Sequence, residues 1–188
     1  MPSLSSSFAN QLLIALPTLA DPGFARTVAL ICQHDDDGAM GVVVNRASDF
    51  TLGEVLRQMG IASDDPELVE QRVLAGGPVH PERGFVLHDG ASTWDSTLAV
   101  AADLSVTTSR DILEAIASGE GPANATVALG CAGWGAGQLE FELTENSWLT
   151  APVRQEILFS LPLDQRWQAA AGEIGVDLMR IAGHVGHA

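Results

Sequence analysis

Short apolar runs, separated by turn-forming residues, indicate that the first part of the chain is rich in sheet. The runs at residues 12–16 and 27–33 and the β-branched segment GVVVN each predict a strand. Acidic residues followed by a glycine lie between the last two and predict a hairpin turn at residues 35–38. The same pattern predicts further strands at residues 72–75, 85–88, 98–102, 104–107 and 126–130, and it is compatible with one at 148–151.

Three segments between or after these strands carry apolar residues at helical spacing. Thr51 and Glu54 have the spacing of a capping box at the start of the first helix. A second helix is predicted to begin at Ser109, and Asp164 suits the cap of a third that runs to about residue 174. Because helices alternate irregularly with strands that follow one another by hairpins, we predict an α/β or α+β sheet protein with one domain over residues 1–188.

The charge balance excludes several classes of function. The chain has 24 acidic residues against 9 basic ones, a net charge of −15, and every basic residue is an arginine. Without lysine there is no Schiff-base chemistry and no phosphate-loop lysine. Direct nucleic-acid binding is disfavoured, because contacts from lysine and arginine to phosphate supply most of the non-specific affinity. We interpret the acidity as a well-solvated surface.

Cysteine content and hydropathy predict a cytoplasmic protein. Cys32 and Cys131 are the only cysteines, so a disulfide framework is not indicated. The apolar segment at residues 12–20 is interrupted by Pro17 and lacks a preceding basic region, which argues against a signal peptide. No apolar run approaches the length of a membrane span.

The glycine-rich segment ALGCAGWGAGQLEFELTENSWL is the most unusual part of the sequence. It lacks the glycine spacing of a dinucleotide site and the lysine of a phosphate loop, so a phosphate site is disfavoured. We predict a strand-to-helix turn on which Trp134 buries its ring, followed by a helix over LEFEL. At this turn Cys131 is a candidate nucleophile, although a buried, inert thiol is the favoured interpretation.

No metal site and no cofactor are predicted. His34 precedes three aspartates, but the calcium-loop pattern fails, because Gln33 and Val44 would take its first and last ligand positions. An exposed hairpin turn explains this acidic run.

Several ordered blocks resemble the YqgE/AlgH family of bacterial proteins. They are DPGFARTVALICQHDDDGAMGVVVNR, LAGGPV with RGFVLH, TTSRDILEAI, GWGAGQLEFELTENSWLTAP and RWQAAAGEIGVD, and the resemblance covers residues 8–187. It implies an α/β fold whose bifurcated mixed sheet forms a pseudo-barrel with flanking helices. It implies no established enzymatic activity, although some members are named as transcriptional regulators in connection with alginate production. The motif positions fall here at Asn45, Arg46, residues 76–78, Arg83, Trp134, Gly137, Gln138, Glu142, Asn146 and Trp148.

One departure from the family pattern bears on Cys131. Its position is often aromatic in proteins that this chain resembles, within a GYAGW-like motif, and a nucleophile would not be exchanged so freely for tyrosine. The name of transcriptional regulator, which some family members carry, does not fit the charge of this chain. Its acidity and scattered arginines do not support direct DNA binding. A regulatory role would then act through another protein or a small molecule.

Two functions are consistent with these residues. The first is a non-enzymatic binding or regulatory module for a small ligand or a protein partner. The sequence leaves open the identity of that ligand or partner and the oligomeric state of this chain. The alternative to a binding module is that its polar side chains only satisfy backbone groups of turns and that its tryptophans fill the core. The second function is a hydrolase or transferase that uses Glu142 or Cys131. The candidate binding residues are Asn45, Arg46, Arg83, Trp134, Gln138, Glu142 and Trp148.

Overall fold

The computed structural model describes residues 7–19, 21, 23–90 and 94–185, with the backbone alone for residues 182–185. The strands are β1 (Gln11–Ala15), β2 (Val28–Asp35), β3 (Gly38–Val43), β4 (Ala47–Thr51), β5 (Arg72–Ala75), β6 (Val79–His88), β7 (Thr97–Ala101), β8 (Leu104–Thr107), β9 (Ala125–Gly135) and β10 (Trp148–Pro152). The helices are α1 (Leu52–Gln58), α2 (Pro66–Val69), α3 (Arg110–Ala117), α4 (Gln138–Thr144), α5 (Gln155–Phe159), α6 (Leu163–Gly172) and α7 (Leu178–Val185).

The strands form one mixed sheet that forks at β9. Its main path runs β10-β1-β2-β3-β9-β6-β8-β7, and β5 with its partner β4 branches from β9. Along one edge, β9 pairs first in parallel with β5, at Leu74 and Ala128, and then antiparallel with β3, at Gly41 and Ala132. The far strand β7 returns to lie beside β2, so the sheet curls upon itself. The predicted α/β fold with a bifurcated sheet and a pseudo-barrel is confirmed.

Three apolar clusters hold the helices against this sheet. The largest contains Leu30 and Leu87 from the strands and Trp167 from α6, and the second packs α4 over β1, β2 and β3. The third lies between the sheet and the helices α1 and α3, and its buried members include Leu56 and Ile112. This third cluster positions the candidate site described below.

Several predicted elements are confirmed and others are corrected. The capping box at Thr51 and Glu54 is formed, and Ser109 is the N-cap of α3. Helix α6 begins at Leu163 after Pro162, so the prediction of Asp164 as its cap is wrong. The helix over LEFEL is present, and Asn146 follows it with φ of 56°. The strand β4 and the helices α2 and α7 are absent from the sequence prediction.

Residues 130–137 of the glycine-rich segment are mostly strand, which corrects the predicted turn. Strand β9 continues to Gly135, because β3 pairs with its second half and the start of β6 pairs at Cys131. Only residues 136–137 form the turn into α4, where Gly137 has φ of 73°. Paired edges on both sides outweigh the low strand propensity of the glycines.

A bulge in β6 depends on one of these glycines. The register of β6 with β9 jumps from Val79 opposite Cys131 to Gly84 opposite Leu129, so that residues 80–83 bulge out. Gly130 lies beneath this bulge with φ of 78°, and a Cβ there would come within 2.3 Å of the Gly77 carbonyl oxygen. Such bulges redirect side chains at the edges of sites. Here the bulge presents Arg83.

Candidate functional site

A cleft of about 620 Å³ opens where α1, α3 and the tip of β4 meet one face of the sheet. Val86 and Val127 from the sheet and Leu113 from α3 form part of its lining, and all three are buried members of the third apolar cluster. Leu129 and Met59 extend the apolar surface. The volume and the mostly apolar lining are typical of sites for small organic ligands.

Polar and charged side chains surround this apolar lining. Arg83 contributes from the bulge in β6, and Arg110 from the first turn of α3. Arg110 donates from Nε to Glu114 at 2.6 Å and also bonds the Met59 carbonyl, so its position is fixed by two elements. Arg83 donates to the Thr108 hydroxyl at 3.3 Å, and its guanidinium carbon lies 5.8 Å from the centre of the Phe85 ring.

The start of α3 is organised by Asp111. Its carboxylate accepts hydrogen bonds from the Ser109 hydroxyl at 2.6 Å and from the backbone N–H groups of Asp95 and Ile112 at 2.8 and 3.0 Å. Desolvation opposes ionisation, but these hydrogen bonds outweigh it and hold the pKa of Asp111 below its ordinary value. The carboxylate therefore fixes the side chain of Ser109, which lines the cleft.

A buried histidine supports the cleft wall from behind. The His88 ring is fully buried, and its Nδ1 donates to the Asp89 carbonyl, which can only accept. Its Nε2 then accepts from the Thr107 hydroxyl at 2.8 Å, and that hydroxyl accepts from Thr97 at the same distance. Both ring nitrogens of His88 thus have hydrogen-bond partners within the protein, which makes it a structural residue.

Among the residues predicted from the sequence to form a binding site, only Arg83 lines this cleft. Asn45 accepts from the Val28 N–H at 2.9 Å and donates to the Arg26 carbonyl at 2.8 Å. Arg46 donates to the carbonyls of Gly23 and Ala25 at 2.6 and 2.8 Å. These two side chains hold the loop before β2. This is the structural role that the sequence analysis gave as the alternative to ligand binding.

The other predicted residues form a network at α4. Gln138 accepts from the Gly135 N–H at 2.9 Å and donates to Glu142 at 2.9 Å. The second Glu142 oxygen accepts from the Trp148 indole N–H at 3.0 Å. Trp134 and Trp148 are buried, 6% and 3% exposed, with their rings 6.2 Å apart at 77°. This network ties α4 to the sheet.

Cys131 lines a second cleft, of about 460 Å³, on the other side of the bulge. Arg83 and His80 also line it. Burial raises the pKa of the Cys131 thiol, and the nearby Arg83 charge opposes this only in part. Burial likewise raises the pKa of Cys32 to about 12, with a further contribution from Cys131. Both sulfurs are therefore protonated near neutral pH, whereas a nucleophile requires the thiolate.

The residues that the structure describes include neither a metal-binding group nor a membrane-spanning helix. They contain no group of three or more His, Cys, Asp or Glu side chains placed to hold a metal ion. Over the same residues, no helix has both the length and the apolar character needed to cross a membrane.

Most residues of the main cleft were missed in the sequence analysis. Phe50, Met59, Arg110 and Leu129 come from four separate elements, and only the tertiary fold brings them together. The one local signal for this cleft is the polar segment TTSR, at the end of β8 and the beginning of α3.

Comparison with known proteins identifies close relatives along the whole chain. The family model described as AlgH-like (DUF179) matches residues 12–179. UPF0301 proteins of Xanthomonas euvesicatoria pv. vesicatoria and Xanthomonas campestris pv. campestris are 68% and 67% identical over 188 residues, covering all of both chains. The names of these relatives specify no reaction.

Two solved structures share the fold. The solution structure of the AlgH protein from Pseudomonas aeruginosa has a TM-score of 0.81 and 44% sequence identity, with complete coverage of both chains. A crystal structure of a protein from Corynebacterium diphtheriae has a TM-score of 0.68 at 23% identity and covers 85% of this chain and 83% of that one. The second likeness concerns the fold alone.

Proposed function

This chain belongs to the AlgH-like family, and we propose that it acts as a non-enzymatic binding module whose cleft between α1, α3 and the sheet takes a small organic ligand. The observation that carries this proposal is the cleft itself, with a volume of about 620 Å³, an apolar lining and an arginine presented by a bulge. Apolar lining provides affinity and a few placed polar groups provide orientation.

The alternative, a hydrolase or transferase that uses Glu142 or Cys131, has less support. Both Glu142 oxygens accept hydrogen bonds from protein side chains, and Glu142 does not line the main cleft. Cys131 lies against a cleft, but burial favours its protonated form. A general base needs reach to a substrate proton, and a nucleophilic cysteine needs a lowered pKa.

Regulation through a ligand or a protein partner fits this proposal better than direct contact with nucleic acid. The net charge of −15 repels phosphate. Several arginines are also bound to protein groups, as Arg46 and Arg166 are to backbone carbonyls. We also propose that this activity is cytoplasmic, where free thiols such as those of Cys32 and Cys131 are kept reduced.

A substitution that fills the cleft tests the proposal. Gly84 lines the cleft, two residues before Val86 on the same face of β6, and a Cβ there meets nothing within 4 Å. Gly84→Phe is therefore expected to occupy the cleft without disturbing the backbone. Native mass spectrometry of protein gently purified from its own host is expected to show an added small-molecule mass in the wild type and none in Gly84→Phe.

The matched control is Gly172→Phe, at an exposed position of α6 that also has open space. This variant is expected to keep the added mass. A wild-type protein that stays free of any added mass in the presence of host extract, or an added mass that survives Gly84→Phe, would contradict a ligand site in this cleft.

A further inference from the structure

We propose that the cleft selects carboxylates with an apolar alkyl chain, which lie with the chain on the cleft lining and the carboxylate against Arg83. This inference rests on the proposed binding function and adds the chemical class of the ligand. It follows from the distribution of apolar surface and charge around the cleft.

The apolar part of the ligand is indicated by the lining. Leu129 and Val127 from β9 and Leu113 from α3 form a continuous apolar surface with Met59. Phe50 also lines the cleft and is 44% exposed, so its ring offers accessible apolar surface to a ligand. An alkyl chain in the cleft would cover this ring, and methionine adapts readily to flexible partners.

The anionic head group is indicated by Arg83. Within the described residues, Arg83 has no salt bridge, and its one polar partner is the neutral Thr108 hydroxyl. Arg110, by contrast, is paired with Glu114. A guanidinium without a carboxylate partner can bind a carboxylate through two parallel hydrogen bonds.

Among the described residues that line the cleft, Glu82 is the one acidic residue, and it does not cancel this charge. Its side chain is 77% exposed, and its carboxylate lies 3.9 Å from the ring of His80, a residue that does not line the cleft. The chain as a whole carries a charge of −15, so a small anion without an apolar part gains little from approaching it. Binding therefore requires both parts of the ligand, the alkyl chain and the carboxylate.

Displacement of the neutral dye Nile red tests this selection. The dye carries no charge of its own, and it reports occupation of the apolar cleft. Three competitors with the same alkyl chain differ in head group: decanoate, decanol and decyltrimethylammonium, each below its micelle concentration. Decanoate is expected to displace the dye at roughly tenfold lower concentration than decanol, because charge-assisted hydrogen bonds are the stronger class. Decyltrimethylammonium is expected to be weaker than both.

Arg83→Gln tests the assigned residue. It is expected to weaken displacement by decanoate roughly tenfold and to leave displacement by decanol unchanged. Arg180→Gln is the matched control, because it removes the same charge from an exposed position on α7 that is 85% exposed. It is expected to behave as the wild type with all three competitors.

The outcomes separate this inference from the proposed function. Equal displacement by decanoate and decanol, or an unchanged preference in Arg83→Gln, would overturn the carboxylate selection while the cleft remained a binding site. Dye that fails to bind the wild type, or that binds Gly84→Phe equally well, would overturn both.

Discussion

Glu142 shows how a residue that resembles a catalytic group is used for structure. Its carboxylate joins Gln138 in the first turn of α4 to the indole of the buried Trp148. We expect Glu142→Ala to lower the free energy of unfolding by about 1–3 kcal/mol, because a buried N–H group loses its acceptor. Urea denaturation followed by tryptophan fluorescence measures this change.

Glu145→Ala, at the exposed end of the same helix, is the control and is expected to change stability by less than about 0.5 kcal/mol. Nile red binding in the cleft should be the same in both variants, because Glu142 does not line it. Loss of ligand binding in Glu142→Ala at unchanged stability would instead place this carboxylate in a binding site.

At the scale of elements, the bulge in β6 requires close backbone contact with β9. Gly130 has a positive φ, and a Cβ there would lie 2.3 Å from the Gly77 oxygen and 3.2 Å from the Pro81 Cα. We expect Gly130→Ala to lower the free energy of unfolding by about 2 kcal/mol or more, because backbone must move and the left-handed conformation penalises a side chain. Thermal denaturation measures the loss.

Gly133→Ala is the matched control in the same strand. A Cβ there meets only the Val79 side chain, at an ordinary 3.8 Å, and Gly133 does not have a positive φ. We expect this variant to retain wild-type stability within about 0.5 kcal/mol. If Gly130→Ala were equally stable, the bulge would not depend on the close backbone approach.

The elements that the sequence predicted correctly are those with local signals. The capping box at Thr51 satisfies its own backbone neighbours, and the serine before α3 bonds to Asp111 two residues later, so local spacing identifies both. Strand β9 was predicted to stop near Gly130 and extends to Gly135, because its pairing with β3 and β6 is long-range. The cleft was not predicted for the same reason. Only Arg83 was identified, and that through resemblance to a family motif.

At the scale of the whole molecule, most charge is acidic, and several carboxylates have hydrogen-bond or ion-pair partners among the described residues. Glu140 is one of these, because it pairs with Nε2 of His34 and so joins α4 to β2. The other His34 nitrogen accepts from the Phe8 N–H at 3.0 Å, so Nε2 carries the proton given to the carboxylate. Hydrogen bonding from its own backbone N–H, followed by the His34 contact, outweighs desolvation and lowers the pKa of Glu140.

This lowered pKa gives Glu140 a defined pH dependence. A carboxyl group whose pKa falls on folding stabilises the native state above its unfolded pKa, and this contribution disappears as the pH falls through the folded pKa. We expect Glu140→Gln to be less stable than the wild type at about pH 7, and the difference to shrink as the pH falls below the ordinary glutamate pKa of about 4.3. Urea midpoints across this range measure the difference.

The wild-type curve alone cannot isolate this pair, because acidification also reduces the self-repulsion of a chain with a net charge of −15. Glu145→Gln removes the same charge from the exposed end of α4 and therefore corrects for that global effect. Its midpoint is expected to follow the wild type at every pH. In acid the Glu140 carboxyl group is protonated and neutral, as the glutamine amide is. A loss of stability in Glu140→Gln that persists there would therefore show that the pair acts through packing and not through charge.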